Sequence, residues 1–215
     1  MSDLSTKQKI LKSSISLFNE KGMANVRLQQ IANDIGISAG NLAYHFKNKE
    51  AIVEAIHEDL DKSIVKILST YRIFPNLIDF DNQLSKYYVF IQKYPFYFID
   101  LIDLERHYPQ IHAKRNIHIS KMISQIRKRF EFNAQRGLIK VEPREGVYDS
   151  CSLSVWMLIA FWKSQSLLRG KGSTSGSDCG QFKNAIWNQI HPYFTKKGKT
   201  EFQQLIIPIL NQYSS

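Results

Sequence analysis

Between residues 28 and 35, apolar side chains fall at Leu28, Ile31, Ala32 and Ile35. This i, i+3, i+4, i+7 spacing marks one face of a two-turn amphipathic helix. Gly36 follows, free to take a positive φ and so to stop that helix in a sharp bend. Ser38 stands where a second helix needs an N-cap, and a buried Ile37 between the two would pin their crossing angle. Upstream, Leu11, Ile15 and Phe18, flanked by Ile10 and Leu17, stripe a helix over 6–20 that Ser5 or Thr6 caps and Gly22 ends. Three short helices around one apolar centre, the last two joined by a tight glycine turn, read as a helix-turn-helix DNA-binding domain over 1–48.

The periodicity then lengthens. Ile52, Val53, Ile56, Leu60, Ile64, Ile67 and Leu68 line one side of a helix over 49–71, which Phe74-Pro75-Asn76 breaks. Further helices are predicted over 76–94, 96–106, 110–136, 147–168, 181–195 and 200–213, with Gly137 closing one and Pro192 and Pro208 bending the last two. The Gly- and Ser-rich stretch 169–180 reads as a flexible loop. No segment alternates with a two-residue period. The expected fold is therefore all-α: an N-terminal three-helix unit, then a larger α-helical domain over 49–215, with the 49–71 helix connecting them.

Composition adds a charge argument. The 215 residues carry 29 Lys+Arg against 19 Asp+Glu, a formal +10, and such a balance favours polyanion partners once a reading motif is present. Residues 1–10 are polar, and the longest apolar run, 155–162, is far shorter than the roughly 20 residues of a bilayer span. No membrane association is expected, and Cys151 and Cys179 are read as free thiols in a reducing cytoplasm. Gly-Lys-Gly-Ser at 170–173 lacks the full phosphate-loop spacing and a preceding strand. His107, His112 and His118 do not share helical ligand spacing, so no metal and no cofactor are expected. No nucleophile–base set or paired carboxylates support an enzyme.

Ile31-Ala32, Gly36-Ile37-Ser38, Gly40, Leu42, His45-Phe46 and Lys49-Glu50 together resemble the tetracycline-repressor (TetR) family pattern. The likeness covers about a quarter of the chain. It implies a dimeric repressor released from DNA by a small molecule, with 49–215 as the α-helical regulatory and dimerisation domain and the 49–71 helix as the lever between the domains. The family usually has Thr where Arg27 stands and favours Tyr where Ala43 stands; here Asn25 is expected to cap the second helix and Tyr44 to supply the phenol.

In the third helix, Leu42 and Phe46 take the core face, leaving Ala39, Gly40, Asn41, Tyr44 and His45 outward. Small side chains at Ala39 and Gly40, behind the capping Ser38, let the helix approach the groove, and Asn41 suits bidentate contact with adenine. Gln29 reads a base or meets a phosphate; Arg27, Tyr44, His45 and Lys49 are phosphate contacts, although His45 packs equally well inside the three-helix unit. Two copies about 34–36 Å apart would read a palindromic operator in double-stranded DNA.

The second domain is less legible. An aromatic cluster around Pro95 forms either core or an effector pocket, the pocket reading resting on Tyr88, Tyr94, Phe98, Asp100 and Ile102. A homodimer interface is expected at Val155, Trp156, Ile159, Trp162, Trp187, Ile190 and Phe194, with packing inside one chain as the alternative. The competing functional reading is a DNA-binding regulator controlled by a protein partner, with no small-molecule pocket.

Overall fold

Local chemistry accounts for the first helices. In the computed structural model, which describes residues 4–71, 75–170 and 176–213, helix α1 spans Thr6–Lys21. Ser5 caps it through a reciprocal box with Gln8. A 3₁₀ turn, Met23–Asn25, leads to α2 (Leu28–Asp34) and then α3 (Ala39–His45). Gly36 adopts φ +69° between them, in the left-handed region that only glycine enters cheaply. Ile10, Phe18, Ile31, Ala32, Leu42 and Phe46 are the shared buried centre, and Ser13 Oγ donates to Asp34 Oδ2 at 2.6 Å to tie α1 to α2. Asn25 does not cap α2. Its Nδ2 donates back to the Lys21 carbonyl at 2.8 Å, whereas Gln30 Oε1 accepts the Arg27 N–H at 2.7 Å.

The later helices are α4 (Lys49–Ser69), α5 (Leu77–Lys93), α6 (Pro95–Ile99), α7 (Leu101–His107), α8 (Pro109–Gln135), α9 (Val147–Leu168), α10 (Gly176–Ile190), α11 (Lys196–Leu205) and α12 (Ile207–Asn211). The described residues contain no strand, only an isolated bridge between Ile139 and Phe194. The single helix expected over 96–106 is two, broken at Asp100. Helix α10 begins at Gly176, inside the expected loop; residues 171–175 of that loop, and most of its Gly-Lys-Gly-Ser, lie outside the described residues. Pro192 and Pro208 separate elements rather than bend them: Pro192 sits in a 3₁₀ turn after α10, and Pro208 opens α12.

Two compact units emerge, and neither is one continuous stretch. The first gathers residues 1–64 with 94–112; the second gathers 65–93 with 113–215. The boundary expected from sequence falls after residue 48. What extends the first unit is side-chain chemistry on α6 and α7. The Phe96 N–H donates to Asn19 Oδ1 at 3.2 Å, the rings of Phe18 and Phe96 meet edge-on at 5.5 Å, and Asp100 reaches Met23.

The second unit is organised on α5, which places acids inside. Asp81, 1% exposed, accepts from Lys183 Nζ at 2.7 Å and Trp187 Nε1 at 3.1 Å. Arg129 donates to Asp79 at 2.6 Å with its guanidinium over the rings of Tyr71 and Phe80. Buried charges persist when paired and hydrogen-bonded in this way. Gly198 marks a close crossing: a Cβ there would lie 2.0 Å from the Leu138 carbonyl oxygen.

Candidate nucleic-acid interface

The reading helix is positioned from its ends inward. Ser38 Oγ accepts the Asn41 N–H at 3.1 Å, so one orphan donor of a seven-residue helix is satisfied by its own cap. Leu42 and Phe46 are buried, four residues apart, and fix the rotation of α3 about its axis. Ala39, Gly40 and Asn41 are consequently exposed, and Tyr44 is 86% exposed. An aromatic ring so fully in water suits contact with a polyanion backbone. His45 is half-buried with its ring edge-on to Tyr44 at 5.3 Å. Arg27 and Gln29 are exposed at the start of α2, where Gln29 Nε2 donates to Asn33 Oδ1 at 2.8 Å. Lys47, which the sequence reading passed over, adds an exposed cation directly after Phe46. Its only sequence signal is its place two residues beyond the reading helix.

Lys49 departs from the expected phosphate contact. Its ammonium donates to the carbonyl of Met23, lies 3.5 Å from that of Ala24, and sits over the Phe18 ring. Burial pushes this ammonium below the usual lysine range, against the opposing pull of Glu50 and Asp100. The lysine is spent on the backbone of the 3₁₀ turn. From the other side, Asp100 Oδ2 accepts the Met23 N–H at 2.9 Å.

The basic excess does not belong to this unit. Of the 29 Lys+Arg and 19 Asp+Glu, the first unit holds 9 and 11, and the second 20 and 8. Residues 1–50 alone carry seven basic against four acidic side chains. Attraction to DNA at the reading face therefore depends on locally placed cations rather than on the charge of the whole unit.

The residues expected to line one effector pocket are divided between the two units. Tyr88 belongs to the second unit, its hydroxyl donating to Asp178 at 3.0 Å; Tyr94, Phe98, Asp100 and Ile102 belong to the first. There, Tyr94 is buried, Asp100 serves the Met23 turn, and Ile102 is 60% exposed. Asp178 also receives Gln92 Nε2 and Trp162 Nε1, which together anchor the start of α10 to α5 and α9.

The residues expected at a dimer interface are mostly core. Val155, Ile159, Trp162, Trp187, Ile190 and Phe194 are buried within the chain, Trp187 edge-on to Phe80 and Phe202; Trp156 is half-buried against Phe161. Helix α9 is apolar on every side, so its spacing could not say which side faced inward. The outward side carries Leu153, Met157 and Phe161, each more than 40% exposed. With Ala185, Asn188 and Gln189 of α10, Met157 and Phe161 line an open groove of about 740 Å³. Among the described residues no cluster of three His, Cys, Asp or Glu is placed to hold a metal ion, and no helix is long and apolar enough to cross a membrane.

Comparison with known proteins bears on the whole chain. Residues 10–56 match the family model for bacterial regulatory proteins of the tetR family, and residues 57–202 match that of a bacterial transcriptional repressor. The chain is similar to the crystal structure of a TetR-family transcriptional regulator from Marinobacter aquaeolei VT8, at 27% identity and a TM-score of 0.83, over 98% of this chain and 99% of that one. It is 32% identical over 108 residues to IcaR of Staphylococcus aureus, the HTH-type negative transcriptional regulator of the biofilm operon icaADBC. That match covers 50% of this chain and 52% of IcaR. Over 47 residues it is 49% identical to the HTH-type transcriptional regulator YerO of Bacillus subtilis (strain 168), covering 22% of this chain and 16% of YerO. The chain thus spans about half the length, or less, of these curated relatives.

Proposed function

The chain belongs to the TetR family of bacterial transcriptional regulators, and from that premise we propose that it is a homodimeric, cytoplasmic repressor that leaves a palindromic operator when a small molecule binds. The observation that carries the reading is the rotation of α3: Leu42 and Phe46 are buried while Ala39, Gly40, Asn41 and Tyr44 are exposed. That is the arrangement a recognition helix needs in the major groove. Asn41 reads adenine, and Arg27, Gln29, Tyr44 and His45 hold the phosphates on either side.

In this reading residues 1–48 recognise DNA, and residues 49–215 bind the effector and dimerise. The second copy packs on the outward side of α9 and α10, where Leu153, Met157 and Phe161 are exposed beside an open groove. The effector acts by preferring the conformation in which the two recognition helices are wrongly spaced; moving the population from almost all bound to almost all free takes about 5.5 kcal/mol of differential affinity.

Selection of bound duplexes from a random DNA pool tests the proposal. A palindrome with half-sites one helical turn apart, about 34–36 Å, is the expected result. Recovery of no preferred sequence would overturn it.

A further inference from the structure

The 94–112 segment lies within the stretch that matches the repressor model, yet packs in the same compact unit as the helix-turn-helix. Its polar contacts there are aimed at one place. The segment enters with the Phe96 N–H on Asn19 Oδ1, near the C-terminal end of α1. Four residues later α6 stops, and the α6–α7 break presents the Asp100 carboxylate to the Met23 N–H at 2.9 Å. This bond joins residues 77 apart in sequence. Met23 begins the 3₁₀ turn that sets where α2 starts, and α2 carries α3 through the Gly36 bend. The carbonyl of Met23 is held in turn by Lys49, at the first residue of α4.

A hydrogen bond from a buried backbone N–H to a carboxylate is stronger than one between neutral groups, and losing the acceptor leaves a desolvated donor. Moving the α6–α7 break therefore disturbs the turn that orients both helices of the reading motif.

We infer that Asp100 is a positioning residue for DNA recognition: through its bond to the Met23 N–H, the α6–α7 break clamps the turn before α2 and so holds the reading helices in place. The inference rests on the regulator reading above.

The test uses the full-length chain and the operator selected by the wild type. Asp100→Ala is expected to bind that operator about tenfold more weakly, the scale of one hydrogen bond to a charged group. Its Met23 amide should exchange with solvent much faster, while the selected sequence stays the same. Asp100→Asn keeps an acceptor oxygen and should recover most of both the affinity and the amide protection, which a merely bulk packing role would not predict. If Asp100→Ala does not fold, Asn19→Ala, which removes the α1 acceptor of the segment's Phe96 N–H, carries the same expectation of weakened affinity and faster Met23 exchange. Operator affinity and Met23 exchange both unchanged in the folded variant would overturn the clamp and leave the regulator reading standing. A wild type that selects no DNA would overturn both.

Discussion

Lys49 and Asp100 hold opposite backbone groups of a single residue, Met23: the ammonium takes its carbonyl and the carboxylate its N–H. The turn ahead of the reading helices is thereby fixed by one cation from α4 and one anion from the α6–α7 break. Neither contact is local in sequence.

Replacement of Lys49 by Ala follows from this geometry. The ammonium faces backbone carbonyls, so the substitution should destabilise the protein by about 1–2 kcal/mol and leave the salt dependence of DNA binding unchanged. Thermal unfolding and a log–log plot of affinity against salt measure the two effects separately. A slope reduced by about one unit would return Lys49 to the phosphate contacts.

Asn41→Ala separates base reading from positioning. Asn41 is exposed on α3 beside Gly40, and only its backbone N–H serves the cap. The variant should lose about 1–3 kcal/mol at one position in each half-site, seen as a relaxed adenine preference when bound sequences are selected again. An unchanged preference would mean that Asn41 does not touch a base.

The two sides of α9 and α10 should respond differently. Phe161→Glu places charge on the exposed side and should convert the proposed dimer to monomer in sedimentation with little change in melting midpoint. Trp187→Ala empties a site that is 1% exposed and should cost about 3–5 kcal/mol of stability. Equal effects of both on stability, with no effect on assembly, would place the dimer contact elsewhere.

Tyr87 offers a pH prediction. Its hydroxyl is buried with no hydrogen-bond partner among the described residues, and burial pushes the phenol well above the usual tyrosine range, Arg129 opposing. The folded state therefore favours the protonated phenol. Its contribution is complete below the unfolded value of about 10 and is lost as pH rises above that, where only the unfolded chain ionises freely. Melting midpoints between pH 9 and 11 should fall less steeply for Tyr87→Phe than for the wild type. At neutral pH the same variant should gain about 1 kcal/mol by removing an unsatisfied polar group. A destabilised Tyr87→Phe would show that the hydroxyl has a partner in solution.

The amino-acid sequence alone determined what neighbouring residues decide among themselves. The Ser38 cap, the Gly36 bend, the buried Leu42 and Phe46 and the outward Tyr44 all follow from steric and hydrogen-bonding rules that act within about four residues. The same rules placed α9 at Val147–Leu168. Tertiary structure decided which way ambiguous groups turned. Helix α9 is apolar all round, so only its packing partners could make Val155 and Trp162 core and leave Met157 and Phe161 outside. From sequence Asp100 reads as a pocket residue because its partner, the Met23 N–H, lies 77 residues away. Lys49 looked free because its acceptors are main-chain carbonyls, which carry no signature in the choice of side chains. Local patterning is written in residue types; long-range pairing to backbone depends on where the folded chain brings that backbone.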